Sequence, residues 1–124
     1  MKRYLKFIPA FLWMGLIFYL SSRQTTGIGG SSYWARFIIL KSFHIIEYAI
    51  LYVLLFLGFN QPSLSAIIAY IFGISDEIHQ SFIPGRTAKF SDTLFDLFGI
   101  FIGFLVVKFL IIPLSQKIKL SKST

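Results

Sequence analysis

Cysteine is absent from the 124 residues, which excludes disulfides, thiolate metal sites and a cysteine nucleophile. Acids are scarce: five Asp and Glu stand against twelve Lys and Arg, and charged residues make up only 14% of the chain. With so little charge and 56% hydrophobic residues, the composition is that of a single-domain integral membrane protein rather than of a soluble fold. Neither GxSxG nor HExxH occurs, and the glycines of the Thr25–Ser32 loop (TTGIGGSS) fit no nucleotide fingerprint, so familiar hydrolase and phosphate-loop chemistry lack support. No internal repeat is evident. The formal charge is +7, yet Lys and Arg gather near the ends of apolar runs instead of forming a stripe. That pattern excludes nucleic acid and fits membrane topology and anionic headgroups.

What is present is a succession of apolar runs long enough to cross a ~30 Å hydrocarbon core at ~1.5 Å per residue. They predict transmembrane helices over about 4–22, 35–59, 63–82 and 90–112, an all-α four-helix transmembrane bundle, closed by Pro113 and a basic tail over 113–124. Lys2, Arg3 and Lys6 before the first run resemble a signal peptide, but Ser21-Ser22-Arg23-Gln24 offers no good small-x-small site, so the run is expected to remain as a span. Asn60-Gln61-Pro62 makes a short turn with proline starting the next helix. Ile83-Pro84-Gly85-Arg86 fits a type II turn that hairpins the third and fourth helices. Lys2, Arg3, Lys6, Lys117, Lys119 and Lys122 lie on one side, against Arg23, Arg36, Arg86 and Lys89 on the other. The bias puts both termini in the cytoplasm.

Ionisable groups crowd into residues 73–103, which hold four of the five acids. Such groups are costly in hydrocarbon and mark a functional site by default. Asp76, Glu77, His79 and Gln80 end the third run, and Asp92 and Asp96 begin the fourth. In the second run Lys41, His44, Tyr48 and Leu51 share a face, with Glu47 beside His44. Every polar half-helix points to the same leaflet, so these groups can share a layer. A bundle interior or a water-filled cavity would relieve their exposure to lipid.

His44-x-x-Glu47 and Asp76-x-x-His79 have a spacing that can present two ligands to one metal, and structural hydrogen-bonded pairs use it too. The spacing identifies neither a metal nor a cofactor. An acid–base reading takes His44 or His79 as proton carrier, with Glu47, Asp76 or Glu77 as orienting partner or base. Arg86 is placed to pair with Asp76, Glu77 or Asp92, or to hold a ligand's phosphate or carboxylate. Asp92 either caps the fourth helix or joins Asp96 as a carboxylate pair. Ser75, Ser81 and Ser91 read as caps or buried hydroxyls. Trp13, Trp34 and most Phe read as lipid-facing or interfacial anchors.

With those residues in place, the chain resembles the VanZ-like family of small bacterial membrane proteins linked to resistance to the glycopeptide teicoplanin. The matching pieces are Ser21-Ser22, Lys41-x-x-His44-x-x-Glu47-Tyr48, and Ser75-Asp76-Glu77-x-His79-Gln80-x-Phe82-x-Pro84-Gly85-Arg86, followed by Asp92 and Gly99-x-x-x-Gly103. One departure is Asp96, where the family usually carries Asn. The resemblance implies a membrane location and a resistance phenotype, without an established reaction. It leaves open an enzyme acting on a lipid-linked cell-envelope molecule, a non-catalytic protein binding such a molecule or an antibiotic's lipid tail, and an ion or proton pathway. Membrane lipids are the expected partners in each case.

Overall fold

The computed structural model describes residues 2–23, 30, 32–84 and 90–123. Among them are helices and no strand. A tight turn of 3-10 helix over Arg3–Phe7 leads into α1, Ile8–Ser21, whose Pro9 sits in the first turn where a missing N–H leaves no bond unmade. The second helix, α2, spans Tyr33–Phe59, and the Ser32 hydroxyl caps it by accepting from the Ala35 N–H at 3.2 Å. It ends at Asn60, whose φ of 55° is the left-handed conformation that asparagine tolerates at such ends. Pro62 then starts α3, Pro62–Gln80. A 3-10 turn over Phe90–Asp92 precedes α4, Thr93–Val106.

Past α4 the helix does not stop where the sequence suggested. It widens into a π turn over Val107–Ile111 and continues as α5, Ile112–Ser123. Pro113 is the reason for the widening: it has no N–H to give back and its ring crowds the preceding turn. The Ile112 N–H bonds the Val107 carbonyl, five residues back, and the helix passes the proline without breaking.

The core is a stripe on α2, Tyr48, Leu51, Tyr52, Leu55 and Phe56, at the three- and four-residue spacing that puts side chains on one face. Against it pack Ala10 and Ile17 of α1, Ala69 and Phe72 of α3, and Ile100 of α4. The largest interface is between α2 and α4. There the absent side chains of Gly99 and Gly103 let α4 approach the backbone of α2 at Ile45 and Ala49. Phe7 covers Gly58 at the far end, its ring 4.7 Å from that of Phe59.

Three helical stretches are long and apolar enough to cross a membrane: Arg3–Ser21, Tyr33–Phe59 and Thr93–Ser123. The fourth expected span, α3, is not among them, since Asp76, Glu77, His79 and Gln80 fill its last turns. Polarity in the molecule is inverted. Large apolar side chains such as Phe11, Leu12, Ile71 and Phe101 are exposed, while His44, Asp76, Glu77, Gln80, Asp92 and Asp96 are buried. That is the arrangement lipid selects and water does not.

Candidate functional site

The buried polar side chains meet where the end of α1, the first half of α2, the end of α3 and the start of α4 come together. Three sets of contacts cross between helices. The first joins α2 to α4: Lys41 Nζ makes a short ion pair with Asp92 Oδ1, and the same ammonium lies 5.7 Å from the Phe37 ring centroid and 5.3 Å from that of Phe95. Asp92 makes no side-chain cap at the start of α4, so the cap reading gives way to the ion pair. One turn deeper, His44 Nδ1 meets Asp96 Oδ1 at 3.0 Å, and the Tyr48 ring stacks parallel to the imidazole at 6.5 Å.

The second set joins α1 to α3. Asp76 Oδ2 accepts from Ser21 Oγ at 2.9 Å and from Gln80 Nε2 at 3.0 Å, and Gln80 Nε2 also reaches Ser21 Oγ at 3.1 Å. This triangle is closed to solvent, with Ser21, Asp76 and Gln80 all buried. The third contact lies at its rim, where Ser22 Oγ and His79 Nε2 are 2.9 Å apart and exposed, and the Phe18 ring packs 5.1 Å from the imidazole. Ser22 Oγ also donates to the Phe18 carbonyl at 2.8 Å.

The two halves touch at Gly73. A Cβ there would stand 3.0 Å from Asp96 Oδ2 and 3.2 Å from Tyr48 Cε1. The structure therefore gathers Lys41, His44, Tyr48, Asp76, Gln80, Asp92 and Asp96, with Glu77 buried and Glu47 and His79 half-buried around them.

Bonds between helices add partners that spacing along one helix does not report. Spacing set His44 beside Glu47 and Asp76 beside His79, and in the structure His44 also bonds Asp96, His79 meets Ser22, and Asp76 bonds Ser21 and Gln80. Arg86, assigned to Asp76 and Glu77 or to a ligand, lies outside the described residues, as do Gly85 of the expected type II turn and most of the Thr25–Ser32 loop. Trp13 is not a lipid-facing anchor. It is half-buried and its Nε1 donates to the Glu47 carbonyl at 2.9 Å, tying α1 to the middle of α2. Ser75 and Ser81 bond the carbonyls of Phe72 and Ile78 on their own helix. Ser21 and Ser22 have no chemical role in the sequence reading, and their signal is the Ser21-Ser22 piece of the family resemblance at the end of the first apolar run.

Chemically, the interior can accept hydrogen bonds and hold positive charge, and the rim offers a hydroxyl beside an imidazole. Among the described residues no three His, Asp or Glu side chains converge where one metal ion would sit. An open apolar groove of about 360 Å³ lies between α3 and α4 away from this cluster, lined by Tyr52, Ala66, Leu97, Ile100, Phe101 and Phe104 among others. It lacks the groups for chemistry and has the character of a lipid-facing surface. The model of the VanZ/LLP1 family matches residues 6–112. No curated protein and no solved structure matches the chain.

Proposed function

The chain belongs to the VanZ/LLP1 family, and from that premise we propose that it is a four-span membrane protein that binds the polar end of a lipid-linked cell-envelope molecule in the outer leaflet. The observation that carries this reading is the convergence of polar side chains from α1, α2, α3 and α4 at one end of an otherwise apolar molecule. Buried ionisable groups in a membrane protein are retained for function. In this reading both termini are cytoplasmic, and Lys41 and Arg86 are the cations that meet an anionic headgroup, with His44, Tyr48 and Gln80 beside them. In this reading the activity belongs with glycopeptide resistance of the teicoplanin kind, the molecule bound being an antibiotic's lipid tail or a lipid-linked wall precursor.

A second reading, chemical modification of that molecule, is favoured by one contact. Ser22 Oγ lies 2.9 Å from His79 Nε2 at the rim of the cluster, so a hydroxyl that could serve as nucleophile, once released from the Phe18 carbonyl, and an imidazole that could serve as base stand within hydrogen-bond reach. Conduction of ions or protons has less support, because the half of the molecule toward Asn60 offers no comparable chain of ionisable groups among the described residues.

The test is a binding and turnover assay on purified protein in lipid nanodiscs with a labelled lipid-linked wall precursor and a lipoglycopeptide. Saturable binding, lost in His44→Ala with the fold retained and with the lipid chemically unchanged, is the expected result. A new lipid product that disappears in Ser22→Ala selects the second reading. Neither binding nor product with either molecule rejects both.

A further inference from the structure

Between Asp96 and Lys117 a single charge, Lys108, interrupts the apolar run of the last helical stretch. A charged side chain in a membrane-spanning segment is costly and is kept where it has a partner or a task. The protein offers it no acid. All five carboxylate side chains, Glu47, Asp76, Glu77, Asp92 and Asp96, belong to the polar cluster or its surroundings. Among the described residues the exposed Lys108 ammonium meets aromatic faces instead, 5.9 Å from the Phe104 ring centroid and 5.4 Å from that of Phe109.

Lys108 also stands at the end of a groove. Leu97, Phe101, Phe104 and Lys108 follow one another at steps of four, three and four residues, which makes them one stripe of the helix that begins at Thr93. The first three wall the open apolar groove of about 360 Å³, whose other side is formed by Tyr52 of α2 and by Ser63 and Ala66 of α3. That volume lies within the ~300–1,000 Å³ of small-molecule pockets. Counted from Thr93, Lys108 is ~23 Å along the helix, against a ~30 Å hydrocarbon core. In the proposed topology its flexible stem then carries the ammonium to the headgroups of the leaflet away from the polar cluster.

A second copy of the chain and a lipid are the two occupants an apolar groove in a membrane can take. Bulky Phe101 and Phe104 hold a neighbouring backbone away where helix pairs use small residues, and a parallel second copy would enclose Lys108 without bringing it an acid. We propose that an anionic phospholipid binds here, with one acyl chain in the α3–α4 groove and its phosphate paired with Lys108. The chain covers the apolar wall, and the phosphate supplies the counter-charge that the protein lacks. Lys117 and Lys119, further along the same helix, favour a headgroup of net negative charge over a zwitterionic one. The site is at the far end from the polar cluster and does not depend on what that cluster binds.

Thermal unfolding of the purified protein in mild detergent, with phosphatidylglycerol or phosphatidylcholine of identical chains added, tests the site. A ligand that binds only the folded state raises the melting temperature by mass action. Phosphatidylglycerol is expected to raise Tm saturably by about 5 °C, and phosphatidylcholine to raise it less. Lys108→Gln should remove the difference between the two lipids, and Lys119→Gln should keep it. Ala66→Phe, which fills the groove, should abolish the response to phosphatidylglycerol. Lys108→Gln changes an exposed side chain without an ion pair, so it remains readable if Ala66→Phe does not fold. Equal responses to the two lipids overturn the proposal, as does an undiminished response in a folded Ala66→Phe. A difference that survives in Lys108→Gln, or that is lost equally in Lys119→Gln, overturns it too, because the lipid would then be held by the basic end as a whole.

Discussion

Asp96 accepts from or donates to His44 Nδ1 through a single oxygen, in a side chain only 1% exposed. Truncating one member strands the other away from water. Asp96→Ala is therefore expected to cost about 3–5 kcal/mol of stability, the range for breaking a buried pair by removing one partner. Asp96→Asn keeps the shape and an oxygen for the imidazole N–H, so it should retain most of that stability. Denaturant titration of the two variants in detergent measures the contrast. Equal losses would mean that the negative charge, and not the hydrogen bond, holds α4 to α2 here. The sequence exposed these residues because each ionisable group stands out against an apolar run. It could not expose their partners on other helices: spacing reports neighbours on the same helix, such as Gln80 beside Asp76, while His44, Asp76 and His79 also bond Asp96, Ser21 and Ser22 on facing helices or their ends. Serines at positions 21 and 22 stand out in the sequence only as part of the family resemblance, with no partner assigned, because hydroxyls are common at helix ends.

Between elements, the α2–α4 contact depends on two missing side chains. At Gly99 an added Cβ would collide with the Ile45 carbonyl oxygen, and at Gly103 it would stand 2.7 Å from the Ala49 carbonyl oxygen. Backbone atoms cannot rotate aside as a long side chain can, so the helices must move apart. Gly99→Ala is expected to destabilise by about 1–3 kcal/mol, as overpacking does. Gly15 has nothing within 4 Å of its added Cβ, so Gly15→Ala should be neutral or stabilising. Melting temperatures of the two variants give the comparison, and an equal response at both positions would show that close approach is not what Gly99 provides. The glycine spacing was visible in the sequence as a helix-approach motif. Its partner was not, nor was the π turn by which α4 runs past Pro113, because the proline signal for a helix end is local and the widened turn that answers it is a property of the backbone.

Across the whole molecule, the polar cluster and the lysine-rich end of the last helix lie at opposite extremes. Thr93–Ser123 is a continuous helical stretch of 31 residues. At ~1.5 Å per residue it reaches ~46 Å, well beyond a ~30 Å hydrocarbon core. With Asp96 near its start, Lys117, Lys119 and Lys122 lie toward its far end, and in the proposed topology, where α1 and α3 run opposite to it, Lys2, Arg3 and Lys6 share that face. In the proposed topology positive charge is retained in the cytoplasm during insertion, and the cluster then lies on the outer side. In a chain without cysteine, single substitutions report this directly. Phe82→Cys, at an exposed position just past α3, is expected to react with an impermeant maleimide on intact cells. Lys119→Cys should react only after the membrane is opened. The reverse pattern would set the cluster on the cytoplasmic leaflet, where no externally delivered glycopeptide arrives, and the outer-leaflet function would fall while the packing of the helices stood unchanged.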